Sequence, residues 1–231
     1  MNKIFVGDIG SQKDLSIKED TILIIDKNNE NIDIEIESDV KVFVLILFSN
    51  IKINYNTAYN TELNIFTVDS STCLDINLMK DNIIFNYFYG NINNDDNDYK
   101  ININHLGNNI KSKITNHGIN TSNNKLSYTI NTVVPKEYIN IKTSQDSKII
   151  VLKDNNATIK PNLLIDNDDI EANHAAYIGR FKEEEIFYLM TRGITRKDAT
   201  DLLVRSFLIG DMNLSSEEKE LILEKINEYW R

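Results

Sequence analysis

The sequence predicts a mainly β protein that ends in a small α-helical region. Apolar and polar residues alternate from Lys3 to about Ile178, which is typical of strands that bury one face. Short clusters of Asn, Asp, Ser and Lys separate these segments, whereas the 231 residues include only 8 glycines and 2 prolines. After Gly179 the apolar residues follow a helical period, and this change marks the second region.

The predicted strands follow one another at similar spacing. They are Thr21–Asp26, Ile32–Ser38, Ile51–Asn56, Leu63–Val68, Leu74–Met79, Ile83–Tyr89, Lys100–Leu106, Leu126–Val134 and Tyr138–Ser144, with a fully buried strand at Val42–Phe48. Asn and Asp in connections such as 93–98 and 153–157 tolerate αL geometry and favour turns. The pattern suits a β-helix with stacked Asn corners and equally a β-sandwich, because no exact repeat can be recognised.

Three short helices are predicted after the strands. The first begins in the acidic segment 183–185 and ends before Gly193, which we expect at the C′ position. The second starts with a capping box at Thr195 and Asp198 and ends at Gly210. Its expected buried face consists of Ala199, Leu202, Leu203 and Phe207.

The third predicted helix begins at Ser215, where Glu218 completes a second capping box. Its apolar face continues through Ile222 and Ile226 to Trp230. We expect the three helices to form a compact unit, with the domain boundary near Arg180. The predicted domains are therefore residues 1–179 for the β region and residues 180–231 for the helices.

Composition excludes several classes of function. A net charge of −10 and a pI near 4.8 oppose nucleic-acid binding, which needs clustered Lys and Arg. The longest apolar runs fall far short of the roughly 20 residues that span a bilayer, and the first residues lack a signal-peptide pattern, so we expect a cytoplasmic protein. The single cysteine, Cys73, excludes an internal disulfide and any multi-cysteine metal site within this chain.

The segment 161–207 resembles the C-terminal signature of the SufB/SufD family of iron–sulfur cluster assembly proteins. The resemblance rests on matching elements in a fixed order, which are the strand Pro161–Ile165, Asp168 and Asp169, His174, Ala176, Gly179, Phe187-Tyr188-Leu189, Arg192-Gly193-Ile194 and Asp198-Ala199. It implies a right-handed parallel β-helix followed by C-terminal helices. It thereby favours the β-helix over the sandwich.

The resemblance also implies a role and partners. Such a chain would be a non-catalytic scaffold and docking subunit whose helices bind SufC, an ABC-type ATPase. Its β-helix would pair with a SufB- or SufD-like chain or with a second copy of itself. Ala175 replaces the Glu that follows the motif histidine in SufB-type chains, and 143–153 lacks the SufB-type cysteine, so the chain is more similar to SufD.

His174 is the candidate metal ligand. In the SufD-like pattern this histidine faces the partner, where it could donate a nitrogen ligand to iron or to a transient cluster at the subunit interface. No cofactor is expected to bind tightly to the chain alone. The alternative is a structural role. His174 is an even number of residues from Ile170 and Ile178, so in an unbroken strand it would point into the core with them as a hydrogen-bonded polar group.

The candidate partner-binding residues lie at the first helix and the turn after it, at Phe187, Tyr188, Arg192, Gly193 and Ile194. Tyr and Arg are residue types that often dominate binding energies. A structural alternative is that this segment packs on the last coil of the β region, which we expect for Leu189 and Phe187. Both interpretations can hold at once.

The other candidate residues have weaker support. Cys73 is expected to point outward as an incidental thiol, and His105 and His117, in Asn-rich surroundings, are expected at the surface. No nucleophile elbow, phosphate loop or HExxH motif occurs, so ATP hydrolysis by this chain is not expected. The alternatives to the assembly role are a β-helix polysaccharide lyase or hydrolase and a purely structural β-solenoid.

Overall fold

The computed structural model describes residues 2–6, 14–26, 31–47, 51–57, 59–153 and 156–229. The strands are β1 (Asn2–Phe5), β2 (Asp14–Ile17), β3 (Thr21–Ile25), β4 (Asn31–Ile36), β5 (Lys41–Leu47), β6 (Ile51–Thr57), β7 (Thr61–Val68), β8 (Thr72–Leu78), β9 (Ile84–Asn93), β10 (Asn97–His105), β11 (Lys111–Asn120), β12 (Leu126–Val134), β13 (Ile141–Val151), β14 (Ala157–Ile165) and β15 (Ile170–Gly179). The helices are α1 (Glu183–Met190), α2 (Arg196–Ile209) and α3 (Ser216–Tyr229).

The strands form two parallel sheets. Odd-numbered strands build an eight-stranded sheet from β1 to β15, and even-numbered strands build a seven-stranded sheet from β2 to β14. Because the chain alternates between the sheets and each strand pairs in parallel with the strand two places along, the fold is a parallel β-helix. The β-helix prediction is confirmed, the sandwich alternative is wrong, and the handedness of the coil stays a prediction.

The coil length varies along the solenoid, which explains why no exact repeat could be recognised. Hydrogen-bonded residues in neighbouring coils are 21 positions apart at Asp33 and Asn54, 27 apart at Asn77 and Asn104, and 31 apart at Asn109 and Asn140. The expected Asn ladder is present at a corner, where Asn82, Asn109 and Asn140 have positive φ angles and their amides bond from coil to coil.

The interior core lies between the two sheets. Strands of the seven-stranded sheet, such as β4 and β8, alternate strictly between buried and more exposed residues because their outer face meets solvent. Their inward side chains join those of the other sheet in one apolar cluster that includes Ile34, Tyr55, Leu74 and Tyr128. The alternation between buried and more exposed residues is most regular in this sheet, although strands such as β13 of the other sheet also show it.

A second core covers the outer face of the eight-stranded sheet. Phe43, Phe66 and Phe88 on that face pack with Leu208 of α2 and Ile222 of α3. Strands β3 and β5 are therefore buried on both faces, which accounts for the uninterrupted apolar run in β5. The helices do not form a compact unit of their own, because α2 and α3 bury their apolar faces against the sheet. The predicted domain boundary at residue 179 stays a prediction.

The helix starts agree with the sequence, and the buried face of α2 agrees in part, because Ala199 is buried and Phe207 packs against the second core. Thr195 accepts a hydrogen bond from the Asp198 amide, and Ser215 and Glu218 form the expected reciprocal capping box. In α2, however, Leu202 is 46% exposed. The buried side chains there are Ala199, Val204 and Leu208, because the sheet lies on their side of the helix. Trp230 lies outside the described residues.

Candidate functional site

The last coil of the solenoid leaves two strand edges open. β15 pairs only with β13, and β14 pairs only with β12, so each strand has one unpaired edge in the described structure. The inward-facing residues of this coil, such as Ile159, Ile165 and Ile170, are only partly buried because no further coil covers them. The open end therefore presents backbone hydrogen-bonding groups and apolar side chains together.

His174 lies in the middle of this open end. It continues an inward-facing row that runs through Tyr87, Ile114 and Gln145 on neighbouring strands. The parity argument thus gives the right face of the strand, yet His174 is exposed, because its coil is the last one. Ala172 and Ala176 flank it on the same face and leave its imidazole accessible.

Buried polar side chains lie on β13, the strand next to His174. In β13, Thr143, Gln145 and Ser147 face inward and are at most 3% exposed. Gln145 accepts a hydrogen bond of 3.1 Å from Thr132 across the interior, and Ser147 accepts one of 3.1 Å from Asn116. These polar residues were not predicted, although their period-two parity with Ile141 and Ile149 was the signal that could have found them.

His105 belongs to the same buried network, and its predicted surface position is wrong. The ring is fully buried, with Nε2 2.9 Å from Ser112 Oγ and Nδ1 3.2 Å from the carbonyl oxygen of Val133. In the neutral ring Nδ1 donates to the Val133 carbonyl and Nε2 accepts from the Ser112 hydroxyl, whose oxygen lies 2.8 Å from the Thr143 hydroxyl oxygen. Burial lowers the pKa of His105 to about 4, so the ring is neutral at physiological pH.

His117 is also buried, contrary to its predicted surface position. Its ring stacks on Phe207 of α2 at a centroid distance of 4.4 Å, and Nδ1 lies 2.8 Å from the Phe207 carbonyl oxygen. Burial is the main cause that lowers the pKa of His117. His117 therefore contributes to the packing of α2 on the sheet. The polar residues around it in the sequence did not indicate this contact.

The helical region carries a separate exposed apolar patch, which we call the helical patch. It consists of Phe187, Tyr188 and Met190 of α1 and Leu202 of α2. Phe187 is 67% exposed, so the expected packing of this side chain on the last coil is wrong; the buried residue of α1 is Ile186. Large apolar side chains that are exposed together in one region are candidates for an interaction site.

The turn after α1 holds the other predicted partner-binding residues. Arg192 donates to the Tyr188 hydroxyl over 2.8 Å, and its guanidinium lies 5.1 Å from the centre of that ring. Gly193 has a φ of 84°, the left-handed conformation expected at a helix end, and Ile194 is half-buried. These contacts hold Tyr188 in a defined orientation at the surface.

The remaining candidate residue, Cys73, lies neither at the open end nor in the helical patch. Cys73 is a free, partly exposed thiol on the outer face of β8, as expected. Within the part of the chain that the structure describes, no group of three or more His, Cys, Asp or Glu residues could hold a metal ion. His174 therefore belongs to no such group among the described residues. None of the described helices is long and apolar enough to cross a membrane.

Comparison with known proteins gives a family match over residues 74–207, more than half of the chain. The matching family model describes the SufBD core domain of SUF system FeS cluster assembly. The chain is also 34% identical over 82 residues to the iron–sulfur cluster assembly protein SufD of Bacillus subtilis, which covers 34% of this chain and 19% of that protein.

Two further relatives give shorter matches. Identity to SufD of Escherichia coli is 44% over 48 residues, or 21% of this chain and 11% of the relative. Identity to SufB of B. subtilis is 38% over 63 residues, or 27% and 13% of the two chains. The matched segments therefore span less than a fifth of the length of these relatives.

Proposed function

The chain belongs to the SufBD core domain family of the SUF iron–sulfur cluster assembly system, and we propose on that premise that it is a non-catalytic scaffold and docking subunit. It would act in the cytoplasm within a Suf-type complex. The family match favours this role over the β-helix lyase or hydrolase and over a purely structural solenoid.

The open end is the proposed contact with a second chain. Unpaired edges of β14 and β15 can extend both sheets by pairing with another strand, which is a common mode of association. The partly buried residues Ile159 and Ile170 would then be covered by the partner. We propose a SufB- or SufD-like chain as this partner, or a second copy of the protein.

Iron or a transient cluster would be the cargo at this interface. The exposed His174 imidazole could supply one nitrogen ligand, and the other ligands would come from the partner because the described residues offer no complete set. The neighbouring Ala172 and Ala176 leave room for such a shared site. The chain contributes a ligand and a surface in this scheme, and it performs no reaction of its own.

The helical patch is the proposed docking surface for a SufC-like ABC ATPase, and its exposure is the observation on which this assignment depends. Phe187 and Tyr188 are 67% and 58% exposed although they are large and apolar. Aromatic side chains of this kind often carry most of the energy of an interface. Arg192 and Ile194 would border the contact.

A substitution in the helical patch tests the ATPase assignment. Phe187→Ser should weaken binding to the cognate SufC-like ATPase at least about tenfold by calorimetry, because a central aromatic contact is lost. Ile139→Ser is the matched control, since Ile139 is 52% exposed at a solenoid corner. Unchanged binding by the Phe187 variant, or an equal loss in the control, would contradict the assignment.

A further inference from the structure

The outer face of the eight-stranded sheet has a zone that the helices leave uncovered, and it forms a groove. We call it the lysine groove; it is open to solvent and has a volume of about 270 Å³. Its outward-facing residues come from four neighbouring strands and are Ile84 and Asn86 of β9, Lys111 and Lys113 of β11, Lys142 and Ser144 of β13, and Glu171 and Asn173 of β15. The proposed function uses none of them.

Strand geometry brings three lysines together in this groove. Lys111 and Lys142 are direct partners on adjacent strands, about 4.8 Å apart, and Lys113 lies about 7 Å further along β11 on the same face. Like charges placed directly opposite destabilise a sheet. Glu171 neutralises Lys142 at 2.6 Å, but within the described structure Lys111 and Lys113 form no ion pair. This concentration of positive charge stands out in a chain of net charge −10.

Polar groups in the groove also lack the partners that similar groups have elsewhere on the solenoid. On the outer face of the seven-stranded sheet, Asn102, Asn131 and Asn162 form a ladder of amide hydrogen bonds from coil to coil. In the groove, the side chains of Asn86 and Asn173 make no hydrogen bond to any described residue. Their donors therefore remain available to a ligand.

Charges at the two ends of the groove limit what could occupy it. Glu171 stands at the β15 end, and Asp211 and Glu62 line an adjoining cavity beside Lys113 at the other end. A long acidic peptide that ran through the groove would meet these carboxylates and be repelled. A short anion centred on Lys111 and Lys113 would not meet these carboxylates.

We propose that the lysine groove binds a small phosphorylated molecule. Lysine ammonium groups and amide donors match the several oxygens of a phosphate, and a concave surface strengthens the local positive potential. Ile84, 49% exposed at the rim, could contact an apolar part of the ligand. The volume is close to the lower end of the range for small-molecule sites.

Pyrophosphate binding to the full chain tests this proposal, measured by calorimetry at low ionic strength. The double variant Lys111→Gln/Lys113→Gln should bind at least about tenfold more weakly than the parent, since two charged donors are lost. Binding by the parent should also weaken as salt is added. The melting temperature of the variant should not fall below that of the parent, because both side chains are exposed and the Lys111–Lys142 like-charge pair is removed.

The matched control is Lys100→Gln/Lys160→Gln, which removes two exposed lysines from the outer face of the seven-stranded sheet. This control should bind pyrophosphate as the parent does. Absence of pyrophosphate binding by the parent, or an equal loss in the control, would overturn the proposal. Binding of polyglutamate without pyrophosphate binding would also overturn it and indicate a peptide site. The experiment needs no Suf partner, so its result is independent of the proposed assembly role.

Discussion

At the scale of single residues, the buried His105 couples pH to the stability of the solenoid. Burial lowers its pKa from 6.5 to about 4 in the folded chain. The folded state therefore favours the neutral ring, and the resulting stability is complete above pH 6.5 and is lost as the pH falls towards 4. Protonation of His105 should lower the free energy of unfolding by about 3 kcal/mol between pH 7 and pH 4.

Urea unfolding of the parent and of His105→Gln at both pH values measures this contribution. The variant should be less stable at pH 7, because the hydrogen bonds to Ser112 and to the Val133 carbonyl are altered. Its stability should nevertheless decline by about 3 kcal/mol less between pH 7 and pH 4, since the titrating group is gone. Equal declines in parent and variant would show that His105 is not desolvated.

The strand parity of His105 and Gln145 with buried isoleucines was the only signal in the sequence for their burial, and their polar character argued against it. Polar side chains are mostly found at the surface, so Asn-rich surroundings indicate exposure. Here the cost of burial is offset by hydrogen bonds to other strands, such as the one between Thr132 and Gln145. Those partners depend on the three-dimensional stacking of coils of unequal length, which no local pattern reveals.

At the scale of elements, strands and helices could be predicted because each has a local signal. Alternation marked the strands, and capping residues such as Thr195 and Ser215 marked two helix starts. The contact between the elements had no such signal. Leu202 was expected to be buried and Leu208 was overlooked, because the buried face of α2 depends on where the sheet lies.

Removal of the helices should therefore damage the β region. Truncation after Gly179 uncovers Phe43, Phe66, Phe88 and their apolar neighbours on the eight-stranded sheet. An apolar surface of this kind promotes aggregation. We expect the truncated chain to melt at a lower temperature than the parent, to bind a hydrophobic dye and to self-associate on a sizing column.

A single substitution in the full chain distinguishes the effect of lost packing from the effect of shortening the chain. Leu208→Ala should destabilise the full chain by about 2–5 kcal/mol, because Leu208 is fully buried against the sheet. Leu202→Ala in the same helix is the control and should stay within about 0.5 kcal/mol of the parent. A soluble, monomeric truncated chain with the parent's melting temperature would restore the prediction of an independent helical unit.

At the scale of the whole molecule, the solenoid has a covered side and an open end. The helices protect one face of the eight-stranded sheet, whereas β14 and β15 keep an unpaired edge each. The resemblance predicts that His174 faces a partner chain, and this role stays a prediction. The sequence also predicts that the strands end near Ile178, but it could not indicate that the inward face of this last strand is left uncovered, which exposes His174.

His174→Ala tests whether the open end works in an assembly. An exposed side chain contributes little to folding, so the free chain should unfold within about 0.5 kcal/mol of the parent. If His174 gives iron or a cluster a nitrogen ligand at the interface, the assembled complex should contain less iron per complex than the parent complex. Asp169→Ala, at an exposed position just before β15, is the control and should leave the iron content unchanged. A destabilised His174 variant whose complex keeps its full iron content would assign the histidine a structural role, because the loss would then come from its contacts within the last coil.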